Sequence, residues 1–294
     1  MPTTIELDRP SNPLDLTRRD FVRTAVGTGF AASVMPVGAQ TIKTGSDGLT
    51  VGEVTIMVGD FKMPAYRAAP AGRSGNGADL PVVLVISEIF GVHEHIADVA
   101  RRFAKLGYLA IAPELFVRQG DAQSYGEIGK LLSEVVAKVP DAQLMGDLDA
   151  TVAWAKANGG DTSKLGITGF CWGGRITWLY AAHNPAIKAG VAWYGQMIGA
   201  PTALKPTNPI DLVGKLNAPV LGLYGAEDQG IPLAAVDQMK AALASGNASA
   251  KASQFVVYPG APHAFHADYR PSYKRDAAED GWKRCVAWFK ANGV

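Results

Sequence analysis

The chain has 294 residues, 48% hydrophobic and 19% charged, a globular composition that excludes a disordered, fibrous or coiled-coil protein. Twenty-eight Lys and Arg against 27 Asp and Glu leave a net charge of +1, too little positive field to hold a polyphosphate backbone, so nucleic acid is not an expected partner. The length admits one large domain or two, and two cysteines are too few for a disulfide framework.

The N-terminal stretch reads differently from the rest. Thr17-Arg18-Arg19-Asp20-Phe21-Val22 places adjacent arginines before the small, weakly apolar run from Thr24 to Val37, and Val37-Gly38-Ala39 offers a cleavage point. Val22 stands where such signals usually carry Leu, and Arg23 where they often carry Lys. The pattern is that of a twin-arginine export signal spanning residues 1–39, which implies transient handling by the twin-arginine machinery and a periplasmic or otherwise exported protein. The alternative is an ordinary basic helix start. The run is short for a bilayer core about 30 Å thick, so no stable membrane span is expected after processing, although an uncleaved leader could anchor the chain. Residues 40–294 would then form one domain.

From Val51 onward short apolar runs alternate with helical ones, the signature of a mostly parallel sheet with helices on both faces. Val51 to Val58 alternates as an edge strand, with Met63 to Ala68 as its hairpin partner. Pro70 to Leu80 carries three glycines and reads as a loop. Pro81 to Ile86 is a continuous apolar run of the kind buried on both faces. His93 to Lys105 is helical, with Ile96, Val99, Ala100, Phe103 and Ala104 on one face and Gly107 ending it. Tyr108 to Ala112 is a strand, Asp147 to Ala157 a helix, Leu165 to Thr168 a short buried strand, and Ile176 to Ala182 part of the next helix. Ala189 to Tyr194, Val220 to Tyr224 and Phe255 to Tyr258 are further strands. A last helix from about Ser272 to Ala291 sets Trp282, Cys285, Val286 and Phe289 at core-facing spacing.

Gly169-Phe170-Cys171-Trp172-Gly173-Gly174 falls where a buried strand meets a helix, the setting of a nucleophile elbow. A nucleophile at so sharp a turn needs neighbours without side chains, and it points the following N–H, that of Trp172, toward a developing oxyanion. The bland alternative for Cys171 is a buried structural thiol. Cys285, on an apolar helix face, reads as core. An acid and a histidine should follow at the ends of later strands, the order seen in α/β-hydrolases. Gly225-Ala226-Glu227-Asp228 follows one strand and Pro259-Gly260-Ala261-Pro262-His263 the next. Asp228 would orient His263, with Glu227 as competitor. His266 could be a surface residue or a support behind the site. Glu88, leaving the strand Pro81 to Ile86, is either a base near the thiol or a helix N-terminal charge. Phe90, Trp172 and Tyr125 are plausible pocket walls or ordinary packing.

These motifs, with Glu88-Ile89-Phe90-Gly91, Pro113-Glu114-Leu115-Phe116-Val117-Arg118-Gln119 and His263-Ala264-Phe265, resemble the dienelactone hydrolase family, the carboxymethylenebutenolidases, from about residue 50 to 292, in its exported subgroup. The resemblance implies an α/β-hydrolase fold and a cysteine-dependent hydrolase of a lactone or ester, with no metal or organic cofactor. It implies a triad of Cys171, His263 and Asp228 with Glu88, which takes the thiol proton once substrate displaces it. It also implies an oxyanion site at the N–H groups of Trp172 and Ile89, and Arg118 as a binder of substrate carboxylate. The family's second carboxylate-binding arginine, shortly after the histidine, is missing here until Arg270, so Arg270 or His266 replaces it or the substrate differs. Two other readings compete. One is a metal-dependent hydrolase using His93-Glu94-His95 and His263 with His266, opposed by the expectation that helical residues two apart do not face each other. The other is a non-catalytic exported binding protein on a hydrolase fold.

Overall fold

The computed structural model describes residues 41–73 and 79–294. The proposed export leader, residues 1–39, lies outside the described residues. Among them no helix is long and apolar enough to cross a membrane.

Among the described residues eight strands form one sheet in the order β1-β2-β4-β3-β5-β6-β7-β8. β1 (Leu49–Val58) and β2 (Phe61–Pro70) make the expected hairpin, and β2 continues antiparallel onto β4 (Leu109–Pro113). From β4 through β3 (Leu80–Ile86), β5 (Gly160–Phe170), β6 (Ile187–Trp193), β7 (Val220–Gly225) and β8 (Gln254–Tyr258) every pairing is parallel. Parallel strands need helical crossovers, and these cover both faces, which is why Val82 to Ile86 and Leu109 to Ala112 are buried throughout instead of alternating. The helices are α1 (Glu94–Lys105), α2 (Ile128–Glu134), α3 (Asp141–Ala157), α4 (Trp172–His183), α5 (Leu233–Ser245), α6 (Ala248–Ala252) and α7 (Arg275–Ala291).

The strand order reverses at β3. β4 follows it on one side and β5 packs on the other, so the C-terminal ends of β3 and β5 open a crevice at the topological switch point, where doubly wound sheets bind ligands. β5 is longer than its apolar core predicts. Gly160 and Asp161 pair with Leu80 and Pro81, and the register then jumps so that Leu165 faces Val82, leaving Thr162 to Lys164 bulged outward. α3 starts at Asp141 instead of Asp147, capped by Pro140 in extended conformation, and a bidentate Arg175 to Asp141 pair at 2.7 and 2.8 Å ties this new first turn to α4. On α7, Cys285 and Phe289 are buried while Trp282 is half-buried.

Candidate active site

Cys171 sits between β5 and α4 at φ +54°, a left-handed value that a side-chain-bearing residue adopts only under constraint. The constraint comes from the glycines around it. A Cβ on Gly169 would stand 2.1 Å from the Gly173 carbonyl oxygen, one on Gly173 2.5 Å from the Ile86 oxygen, and one on Gly174 2.7 Å from the Trp193 oxygen. The first turn of α4 is thus pressed against the ends of β3, β5 and β6, and no side chain fits between them. The Cys171 N–H donates to the Trp193 carbonyl at 2.9 Å, closing the turn. Trp172 is the first residue of α4, so its N–H has no acceptor within the helix.

Two later strand ends bring the partners. His263 Nδ1 lies 2.7 Å from Asp228 Oδ2, and the imidazole also hydrogen-bonds with the Cys171 side chain. Asp228 is buried and takes the N–H groups of Gly230 and Ile231 on Oδ1 at 2.8 and 3.1 Å, whereas Glu227 is exposed. Burial alone would lower the imidazole pKa, but the Asp228 hydrogen bond and the Cys171 side chain outweigh it and raise it to about 10. Cys285, on α7, is fully buried, and burial pushes its thiol up strongly.

Glu88 leaves β3 toward the same crevice and is 1% exposed. Its carboxylate is held by His93 Nε2 at 3.1 Å and by the Tyr269 hydroxyl at 3.5 Å. Burial would raise its pKa, but the hydrogen bond and charge of His93, with a smaller contribution from His95, bring it down to about 2. His93 and His95 do face each other, with ring centroids 6.1 Å apart and planes at 19°. The helical spacing argument fails here because His93 is the residue before α1, in extended conformation (φ −94°, ψ −179°). Each imidazole has its own carboxylate, His93 on Glu88 and His95 Nδ1 on Asp268 at 3.0 Å. Among the described residues no group of three or more His, Cys, Asp or Glu is arranged to hold a metal ion.

The loop carrying Glu88 and Ile89 is braced from beneath. Gly91 turns at φ +73°, and a Cβ there would lie 2.8 Å from Glu114 Oε1, while Glu114 Oε2 accepts the Val92 N–H at 2.8 Å. Burial pushes Glu114 up to about 7 against that hydrogen bond.

The remaining sequence candidates separate. Phe90 is half-buried, with the Arg270 guanidinium 5.7 Å from its ring centroid and His93 edge-on at 6.4 Å, so it belongs to the crevice rim. Trp172 packs on Phe116 at 4.5 Å. Arg118 donates to Asp147 Oδ2 at 2.6 Å and lies 4.0 Å over the Phe61 ring, engaged with α3 and the β1–β2 hairpin. Tyr125 bonds Glu134 on the loop that leads into α2. His266 is not a surface residue: it is 2% exposed, stacked on Phe170 at 5.0 Å with Trp193 tilted against it at 4.5 Å, and burial lowers its pKa well below the usual range. A neutral imidazole inside an aromatic stack cannot bind a carboxylate by charge, which leaves Arg270 of the two replacements.

Sequence reasoning missed three residues at the site. Tyr194 follows β6 directly, and its place at a strand end beside the elbow was an available signal. Tyr269 lies six residues past His263, where no local pattern marks it. His93 was noticed only as a metal ligand, although its distance of five residues from Glu88 allows a return contact around the Gly91 turn.

The dienelactone hydrolase family model matches residues 63–293. A Methylorubrum extorquens protein named "Putative carboxymethylenebutenolidase" is 60% identical over 281 residues, covering 95% of this chain and 94% of that one. An Escherichia coli (strain K12) protein of the same name is 52% identical over 266 residues, covering 90% of this chain and 96% of its own length. The crystal structure of the "Putative Dienelactone Hydrolase" of Klebsiella pneumoniae superposes with a TM-score of 0.79 at 55% identity, covering 82% of this chain and 98% of that one. With the elbow, the mostly parallel sheet and the crevice at the switch point already in place, the chain belongs to the dienelactone hydrolase family, hydrolases of esters or lactones on an α/β-hydrolase fold.

Proposed function

We propose that the protein hydrolyses a lactone or carboxylic ester through a thioester on Cys171. The observation that carries this reading is the contact chain from Cys171, strained at φ +54°, through His263 to Asp228 at 2.7 Å. Below its raised value of about 10 the His263 imidazole already carries its proton, so the thiol proton goes to Glu88 once that carboxylate has left His93, and the sulfur attacks the carbonyl carbon, opening a tetrahedral oxyanion for which the Trp172 and Ile89 N–H groups are the candidate donors. Collapse breaks the bond to the alkoxide, which takes the proton from His263 and leaves a thioester. Water then attacks the thioester carbonyl, gives its proton to His263, and the acid departs as the sulfur recovers the proton. Asp228 keeps the imidazole oriented and stabilises its charged form.

The resemblance gives Glu88 the task of taking the thiol proton. A carboxylate held near a pKa of about 2 is too weak a base for that while it stays on His93, so the step requires Glu88 to leave His93 first. For a substrate that carries a carboxylate, the half-buried Arg270 guanidinium above Phe90 is the cation best placed at the rim, since Arg118 is engaged by Asp147.

The test is a panel of p-nitrophenyl acetate, neutral lactones and a dienelactone. Cys171→Ala should lower turnover of all of them by about 10⁴-fold or more, and chelators should have no effect. Full activity in Cys171→Ala refutes the thiol mechanism. Arg270→Ala should raise KM for the dienelactone alone by about 10- to 100-fold, while a loss confined to Arg118→Ala would return the carboxylate to that arginine. Export by the twin-arginine route is proposed from the sequence alone. Periplasmic accumulation that survives Arg18→Lys with Arg19→Lys, in fractionated cells, would refute it.

A further inference from the structure

Tyr194 combines two unfavourable features at one residue. Its φ is +40°, and its hydroxyl, in a side chain with no solvent exposure, has no hydrogen-bond partner among the described residues. The other buried tyrosines nearby do have acceptors: Tyr224 donates to the Gly195 carbonyl and Tyr180 to Asp149, both at 2.9 Å. Strain and an unsatisfied buried donor each cost stability, and where both persist the usual reason is function.

The surrounding structure enforces the arrangement. A Cβ on Gly195 would stand 2.3 Å from the Gly174 carbonyl carbon and 2.5 Å from the Arg175 nitrogen, so the chain leaves β6 pressed against the first turn of α4. The Tyr194 N–H donates to the Leu223 carbonyl at 2.8 Å, fixing the backbone from the other side. The ring is clamped edge-on by His263 at 5.1 Å and by Phe265 at 5.2 Å. The phenol therefore cannot swing away to find an acceptor. It stands in electrostatic contact with Glu88, Tyr269, Cys171 and Arg270, the groups that frame the crevice. Burial, and after it the Glu88 charge, keeps this phenol protonated and therefore able to donate.

We propose that Tyr194 is a catalytic residue whose hydroxyl donates a hydrogen bond to an oxygen of the bound ester or lactone. This rests on the reading of Cys171 and His263 as the hydrolytic pair. The acceptor absent among the described residues is supplied by substrate, whose displacement of Glu88 from His93 opens the enclosed hydroxyl, while the clamped ring holds the donor beside His263.

Tyr194→Phe keeps the ring and its contacts and removes only the hydroxyl. In the full-length protein, kcat/KM should fall about 10- to 100-fold, with the thermal midpoint unchanged or raised and the iodoacetamide alkylation rate of Cys171 unchanged. A loss on both p-nitrophenyl acetate and dienelactone places the acceptor at the reacting ester, and a loss on dienelactone alone places it at the substrate carboxylate. Wild-type kcat/KM on every substrate overturns the proposal. So does a loss matched by slower alkylation or a lower midpoint, because Tyr194 would then serve the thiol or the fold. Failure of the underlying reading shows separately, as activity retained in Cys171→Ala.

Discussion

The contact between His93 and Glu88 makes the sharpest quantitative prediction. Glu88 is buried, and the groups facing it are His93 and His95 from the start of α1, Tyr194 from the end of β6 and Tyr269 from the loop between β8 and α7. Its folded pKa, brought from 4.5 to about 2, means that the ionised carboxylate stabilises the fold. Because the folded value is the lower one, that stabilisation is complete above about pH 4.5 and is lost as pH falls through about 2. A shift of that size corresponds to about 3 kcal/mol at pH 6, about 1 kcal/mol at pH 3 and little at pH 2.

His93→Gln removes the charge that produces the shift, leaving burial to raise the Glu88 pKa. Urea unfolding of wild type and variant should therefore differ by about 3–5 kcal/mol at pH 6, a gap that narrows steadily toward pH 3 as Glu88 is protonated in the variant. In a Glu88→Gln background the same His93→Gln change should cost far less, with a coupling of about 3 kcal/mol in the double-mutant cycle. Two parallel stability curves between pH 6 and pH 3, or a negligible coupling, would show that His93 contributes packing and not charge, and the reasoning would fail.

Other expectations follow from single contacts. Gly169→Ala places a Cβ on the Gly173 backbone oxygen, which no rotamer relieves, so it should destabilise by about 3 kcal/mol or more in thermal or urea unfolding. Asp228→Asn should lower kcat by about 10³-fold or more and move the His263 titration, followed by imidazole NMR, from about 10 back toward 6.5. The raised His263 value is a gain complete below about pH 6.5 and lost through about pH 10, so the stability gap between wild type and Asp228→Asn should close on the alkaline side. Iodoacetamide should label one thiol in the native protein and two in urea, because Cys285 is fully buried while Cys171 is not; two fast labels in the native state would contradict the core placement.

What could be read in advance follows from how local each feature is. The elbow was legible because its cause is local: Gly169, Gly173 and Gly174 are needed within six residues for the strand and helix to touch, and that need leaves a mark in sequence. Asp228 and His263 were legible because parallel strands deliver their ends to one side of the sheet, so position after a strand nearly determines position at the site. Choosing Asp228 over Glu227 required knowing which side chain turns inward, and only the Gly230 and Ile231 N–H groups on Asp228 decide that. Tyr269 on Glu88 and Arg118 on Asp147 join residues 181 and 29 apart by tertiary packing, and no spacing encodes such pairs. His93 lies between these cases. Read as part of a helix, its spacing to His95 separates the two rings, but one residue of extended backbone before α1 turns them to the same side and aims His93 back at Glu88. The state of the site's second carboxylate thus depends on a helix boundary, the feature that periodicity locates least well, and a one-residue difference there separates a candidate metal ligand from the partner that holds Glu88 ionised.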